Sequence, residues 1–321
     1  MPTLPLYISP PSPNAWHRVL SPGGYERWHF DAEDPASDTR VIIDFFDGLT
    51  YDREYLRRYH AYRRRPTRHA PPTAREYPAV YVAASRAGKT ILERTLRLPP
   101  GACSGSVEKT DVTIGRHRLS LGDAGQYQLH LEDADVRLRA DLTFAPRVIV
   151  STTEPRIFSQ GGAVREHFWL IPAPLCDVTG MLRYADAQQF DHTIEFRGRG
   201  YHDHYFGTAP LAYGLQLWLR GRVLLEGRAL MFEVTARQDH YTSMLLEADA
   251  LGISEMTHHD CEVGPINGTA PEACPQSIAC DAFQLTKPQL LGTASGARWL
   301  TYAARLPDGR IATALCEVAL R

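Results

Sequence analysis

Arg197-Gly-Arg-Gly-Tyr-His-Asp-His-Tyr-Phe-Gly207 packs two histidines, an aspartate and three aromatic rings between glycines. In an extended chain, successive side chains face opposite ways. His202, His204 and Phe206 then share one face, and Tyr201, Asp203 and Tyr205 share the other, so the stretch reads as a β-strand. Gly198 and Gly200 mark a bulge or a place where backbone approaches closely. No other stretch of the chain gathers as many groups able to hold or pass a proton.

The neighbouring sequence repeats the β signal. Val41–Phe46 reads as a strand ended by Asp47-Gly48. From Tyr77 to Pro146, short strands recur at roughly ten-residue spacing with Gly- and Asp-rich turns between them, which indicates a sandwich or an up-and-down barrel. Past residue 176 a second series follows, through Val178–Tyr184, His192–Arg197, Leu215–Arg220, Ala229–Thr235 and Tyr241–Leu246, and the chain closes on a hairpin turned at Pro307-Asp-Gly309. Val148–Thr153, a Gly161-Gly162 loop and His167–Pro174 read as a crossing segment, with Pro172 and Pro174 as a linker. Residues 1–38 read as an irregular arm and 257–281 as an irregular, His- and Cys-rich excursion. The expected architecture is all-β, in two domains spanning 1–175 and 176–321.

One helix interrupts this pattern. Tyr51, Tyr55, Tyr59 and Tyr62 recur at helical spacing, and Pro66 ends the run. Seven arginines fall between Arg53 and Arg68. A tyrosine face packed inward with arginines in water explains them better than a nucleic-acid surface, because the net charge is only −2. Ala83–Thr90 imitates a phosphate-binding loop but lacks the first glycine and the helix that follows one, and reads as a hairpin turn.

Hydrophobic residues make up 44% of the 321-residue chain and charged residues 22%, an ordinary globular composition. The start carries no secretory pattern, and no apolar run is long enough to span a bilayer. Cytoplasmic location, no nucleic-acid partner and no stable membrane insertion are the expectations. The six cysteines form no CxxC pair and read as free, mostly buried thiols.

Trp169-Leu-Ile-Pro-Ala-Pro174, then Val178-Thr-Gly180, then Gly200-Tyr-His-Asp-His-Tyr-Phe-Gly207 resemble a known superfamily. It comprises the tandem lipocalin-like carotenoid 1,2-hydratases, their bacterial relatives and fungal decalin-forming Diels–Alderases. The resemblance implies two lipocalin-like β-barrel or sandwich domains with one short helix in the first. It also implies a cofactor-independent enzyme, with no bound metal, acting on a hydrophobic polyene or isoprenoid-like small molecule by acid-assisted hydration or cyclisation. A pericyclase of a natural-product pathway and a non-catalytic carrier of lipophilic ligands are the alternatives.

Carried over residue by residue, the catalytic set is His202, Asp203, His204 and Glu233. The substrate-binding set is Tyr201, Tyr205, Phe206, Trp169, Trp218 and Met231. Phe206 stands where the family usually has Trp, Glu233 where it has Asp, and Met231 where it has an aromatic. Protonating an alkene needs a buried acid, an aromatic wall for the cation and a base to direct water. Glu233, Phe206 with Tyr205, and His204 fit those roles, and Asp203 could instead orient a neighbouring imidazole. His-x-His could also hold a metal, but a third ligand at fixed spacing is missing; His240 and His258-His259-Asp260 are the other donors of the right type.

Overall fold

The structure, a computed structural model, describes residues 7–8, 10–148, 156–159, 166–186, 188–211, 213, 215–237, 240–255, 262–267, 273–280, 282–294 and 297–320. It is almost entirely β and divides into two compact units, 1–211 and 212–321.

The first unit begins with β1 (Tyr25–Asp34) and β2 (Thr39–Asp47), followed by α1 (Arg53–Arg64). The hairpin β3 (Ala79–Arg86) and β4 (Lys89–Arg97) comes next. A meander runs through β5 (Cys103–Gly105), β6 (Asp111–Ile114), β7 (His117–Leu121), β8 (Tyr127–Asp133) and β9 (Leu138–Pro146). The short β10 (Arg156–Ser159) and the long β11 (Glu166–Ala185) and β12 (Asp191–Gly207) complete the unit. The sheet order is β4-β3-β2-β1-β12-β11-β9-β8-β7-β6-β5, with each strand antiparallel to its neighbours. The sheet curls: Leu92 and Leu96 at one end and Cys103 at the other join Trp28, Phe30, Ile43, Phe45 and Phe196 in one core.

The second unit holds β13 (Leu217–Leu225), β14 (Arg228–Arg237), β15 (His240–Asp249) and β16 (Gly252–Glu255). The short β17 (Glu262–Val263), β18 (Ile266–Asn267), β19 (Cys274–Pro275) and β20 (Ser277–Cys280) follow. The long β21 (Phe283–Ala294), β22 (Ala297–Arg305) and β23 (Ile311–Leu320) end it. Its main sheet, ordered β16-β15-β14-β13-β23-β22-β21-β20-β17, wraps a separate core that includes Leu219, Phe232, Leu300 and Val318.

Several expectations change on contact with the structure. The boundary expected at 175/176 falls inside β11, which runs unbroken from Glu166 to Ala185. Pro172 and Pro174 are no linker: they sit in register shifts between Leu170 and Cys176, where a missing N–H leaves no gap in the ladder. The His-Asp-His stretch therefore belongs to the first unit, because β12 pairs with β1. Part of the supposed arm is β1 itself. Trp28, Phe30 and Ala32 alternate inward against His29, Asp31 and Glu33. The described part of the 257–281 excursion contains short strands rather than irregular chain alone. Most of Val148–Thr153, and Gly161-Gly162, lie outside the described residues.

Gly198 and Gly200 answer to close approach, not to a bulge. The β1–β12 register runs unbroken past Gly200, from Arg199 to Gly207. A Cβ at Gly198 would stand 2.1 Å from the Glu33 carbonyl oxygen, and one at Gly200 2.6 Å from that of Asp31.

α1 follows the expectation. Asp52 caps it by accepting from the Glu54 and Tyr55 amides, and Tyr55 and Tyr59 are buried while the arginines face outward. The Ala83–Thr90 decoy is the β3–β4 hairpin, with Ala87 and Gly88 at positive φ. The five described cysteines are free, four of them buried; Cys261 lies outside the described residues. No helix among the described residues is long and apolar enough to cross a membrane.

Candidate functional site

β12 lies between β1 and β11, so its side chains on each face have lateral neighbours on both strands. Alternation sorts the predicted residues as expected. His202, His204 and Phe206 point into the barrel, and Tyr201, Asp203 and Tyr205 lie on the opposite face.

On the inward face, His202 stacks on Phe30 with ring centres 3.9 Å apart and planes 2° from parallel. Its Nδ1 lies 2.8 Å from the His29 carbonyl oxygen, which can only accept, so Nδ1 carries the proton. Nε2 must then accept from the Asn14 amide, 3.1 Å away. Both nitrogens are committed, and burial drives the imidazole down to about 3. His202 is a neutral fastener between β1, β12 and the segment holding Asn14.

His204 is placed differently. It stacks on Trp28 at 4.7 Å, its Nε2 lies 3.0 Å from Glu26 Oε1, and its Nδ1 has no hydrogen-bond partner. The same Glu26 oxygen accepts the His17 amide at 2.7 Å and meets His17 Nδ1 at 3.0 Å. Glu26 Oε2 accepts the Arg18 amide at 3.1 Å. With Glu26 ionised, both imidazoles donate to it, and the lone pair of His204 Nδ1 is left buried without a hydrogen-bond partner. Burial lowers His17 to about 3 and His204 to about 4, so both are neutral at pH 7. Burial raises Glu26, against the hydrogen bonds that pull it down.

Asp47 sits directly opposite Glu26 on β2 and accepts the Trp16 indole N–H at 2.9 Å. Burial, reinforced by the neighbouring Glu26 charge, pushes Asp47 up to about 7. Two facing carboxyl groups thus retain a proton near neutrality. Aromatic faces close this hub: Phe206 stacks on His17 at 3.6 Å and on Phe168 at 4.4 Å.

His17, Glu26 and His204 also form a set of three potential metal donors within 4.8 Å of one another. The carboxylate is already engaged by two backbone amides and two imidazoles, so the set is self-sufficient as a hydrogen-bonded hub. His240, His258, His259 and Asp260 contribute no described side chain to it.

On the opposite face, Asp203 Oδ2 accepts the Tyr201 hydroxyl at 2.8 Å and the Trp169 indole N–H at 3.1 Å, and Trp169 stacks on Tyr205 at 5.6 Å. Asp203 therefore orients neither His202 nor His204, since strand alternation turns it away from both. Beside it, His29 bridges two carboxylates, Asp44 at 2.7 Å and Asp31 at 3.0 Å, and Arg27 binds Asp44.

The remaining predicted residues lie in the second unit, on the face of β13 and β14 turned away from that unit's core. Trp218 donates to Glu233 Oε2 at 3.1 Å, and Met231 is buried on the same strand as Glu233. Arg220 binds Glu317 at 2.8 Å, with its guanidinium 5.9 Å from the Trp218 ring centre. The acid bonded to His204 is thus Glu26, which sequence reasoning missed. The signal was the Trp28-x-Phe30-x-Ala32 alternation, which marks a strand and puts Glu26 on its inward face. A surface groove lined by Arg137, Arg139, Arg183, Asp191 and His192 contains none of the predicted residues.

A curled antiparallel barrel with a buried imidazole–carboxyl hub, followed by a second curled sheet, defines the class. No family profile matches the chain. The chain is 24% identical over 273 residues to hydroxyneurosporene dehydrogenase of Chlorobaculum tepidum, covering 79% of this chain and 71% of that protein. Its fold matches an AttH-type protein of Nitrosomonas europaea, with TM-score 0.65, 18% identity and 92% of each chain covered. It also matches CghA solved with Sch210972, with TM-score 0.59, 13% identity, and 98% and 93% of the two chains covered. Kievitone hydratase of Nectria haematococca follows, with TM-score 0.55, 11% identity, and 93% and 89% covered. The fold is the lipocalin-like one to which the motifs at 169–180 and 200–207 pointed.

Proposed function

We propose that the protein is an enzyme acting on a carbon–carbon double bond of a hydrophobic polyene or isoprenoid-like molecule, adding water or closing a ring by proton chemistry. The observation that carries this reading is His204, with one nitrogen bonded to a buried carboxylate, the other unpartnered, and aromatic faces around it. The Glu26–Asp47 pair is the proton source. Its proton goes to one alkene carbon, and the faces of Trp28 and Phe206 stabilise the cation at the other. For hydration, water attacks the cation, His204 Nδ1 takes the released proton, the imidazolium passes its Nε2 proton to Glu26, and a tautomer shift of the neutral ring from Nδ1–H back to Nε2–H resets the site. Asn14 Oδ1 and Trp28 Nε1, buried without partners in the same interior, can orient that water. With water excluded, the cation is captured by a second double bond and a ring closes.

The names of kievitone hydratase and of the Chlorobaculum relative support hydration and carotenoid chemistry respectively. The Chlorobaculum name denotes dehydrogenation, which the assay below separates from hydration. Within the second unit, Glu233, held by Trp218 beside Met231, is the competing acid; within the first, Tyr201, Tyr205 and Trp169 form a separate aromatic set.

The test is incubation of the purified protein with a detergent-dispersed acyclic carotenoid, read by mass spectrometry. Hydration gives a product one water heavier, cyclisation an isomer of equal mass, and dehydrogenation a product two hydrogens lighter. The Glu26→Gln and Glu233→Gln variants identify the acid. Recovery of bound, unchanged polyene makes the protein a carrier and refutes the enzymatic reading.

A further inference from the structure

The arginines of α1 and the loop after it have no part in the hub. Arg53, Arg63, Arg64, Arg65 and Arg68 are exposed and, among the described residues, form no ion pair. Arg57 and Arg58 are paired, with Glu54 and Glu76. Between Arg53 and Arg68 stand seven arginines against one glutamate, on a chain of net charge −2. This is a concentrated cationic patch, held rigidly because Tyr55 and Tyr59 anchor the helix.

The place of the patch in the unit narrows the partner. The Tyr55 hydroxyl donates to the Gly24 carbonyl, and the Gly23 amide donates to the Pro72 carbonyl at 2.9 Å. α1 and the loop that follows it therefore sit on the segment leading into β1. That segment also carries Arg18, exposed and, among the described residues, without an ion pair, and Leu20, 40% exposed. Between them, Val19 packs with Tyr7, Phe168, Leu170 and Phe206, the apolar cluster that stacks on the hub through Phe206 and His17. The Val19 cluster is itself buried, apart from the half-buried Tyr7, so Leu20 is the apolar side chain that these cations flank at the surface. Nucleic acid would use the charge and leave Leu20 idle, whereas an anionic bilayer uses both.

We propose that this end of the first unit docks on an anionic lipid surface through Arg18, Arg53, Arg63, Arg64, Arg65 and Arg68, with Leu20 at the headgroup level. The purpose, delivery of a lipid-dissolved substrate beside the hub, rests on the polyene reading; the binding does not.

The test is co-sedimentation with phosphatidylcholine vesicles and with equal mixtures of phosphatidylcholine and phosphatidylglycerol. The protein partitions onto the mixed vesicles and not the neutral ones, and high salt releases it. Each arginine contributes about fivefold, so Arg63→Ala, Arg64→Ala and Arg68→Ala together weaken partitioning about 100-fold. The corresponding triple Lys variant keeps it, since a bilayer reads charge rather than guanidinium geometry. The melting temperature stays that of the parent, because these side chains are in water. A triple Ala variant that partitions normally overturns the proposal. So does equal binding to neutral vesicles, or preferential capture of duplex DNA at equal phosphate concentration. No substrate is present, so vesicle binding without polyene turnover sinks the enzymatic reading alone, and turnover without binding sinks this one alone.

Discussion

Replacing Glu26 separates its two tasks. In Glu26→Ala the His17 and Arg18 amides lose their acceptor, and the two imidazoles lose the group that holds them. Each stranded amide costs about 1–3 kcal/mol, and the emptied volume adds a cavity cost, so the loss is about 3–5 kcal/mol. Glu26→Gln behaves otherwise. The amide oxygen can take the Oε1 position, keeping the His17 amide and both imidazoles, while the NH2 faces the Arg18 amide. That single donor–donor conflict costs about 1–2 kcal/mol, so the variant folds. It cannot pass a proton, and turnover falls by about 10²–10⁴-fold. Urea unfolding measures the first quantity and product formation by chromatography the second. A Glu26→Gln enzyme with parental turnover, or a Glu26→Ala protein as stable as the parent, refutes the hub as described.

Acid should weaken the first unit. His17, His202 and His204 are lowered by burial from 6.5 to about 3, 3 and 4. The unfolded chain therefore binds protons that the folded chain refuses, and stability falls as pH drops from 6.5 towards 4, by up to about 1.4 kcal/mol per pH unit per imidazole. Asp47, raised from 3.8 to about 7, acts oppositely, its contribution fading as pH rises through that range, and Glu26 acts in the same sense as Asp47. Three imidazoles outweigh two carboxyls; a urea midpoint that stays level from pH 6.5 to 4 would contradict this. His202→Phe keeps the stack on Phe30 but strands one Asn14 N–H, the other keeping the Tyr127 hydroxyl, and removes the donor that His202 gives the His29 carbonyl. It should cost about 2–4 kcal/mol and flatten the acid slope while turnover per folded molecule is unchanged; loss of turnover in fully folded protein would make His202 catalytic. Gly198→Ala drives a Cβ into the Glu33 carbonyl and should cost more than about 3 kcal/mol, read by thermal melting; a neutral result would mean that β1 and β12 separate there more easily than their register implies.

The strands legible in the sequence were those with an apolar face and clear turns: β2, the β3–β4 hairpin, the meander through β7, β8 and β9, the run β13, β14 and β15, and the β22–β23 hairpin. α1 was legible from its tyrosine spacing. β1 was overlooked although Trp28, Phe30 and Ala32 alternate, because its intervening residues are charged and it follows a Pro-rich stretch. β11 was cut in two because proline usually ends a strand; here the prolines occupy shifts in register where the ladder needs no N–H.

Local sequence determined that residues 201–206 would be a strand with imidazoles on one side and the carboxylate on the other, since side-chain alternation is a property of the extended backbone alone. It could not say which side would face a core, nor which carboxyl His204 would meet. Glu26 lies 178 positions away from His204 in the chain, and only the pairing of β1 with β12 brings them to 3.0 Å. Pairing partners are selected by burying apolar faces across the whole sheet, a global condition that no single stretch encodes.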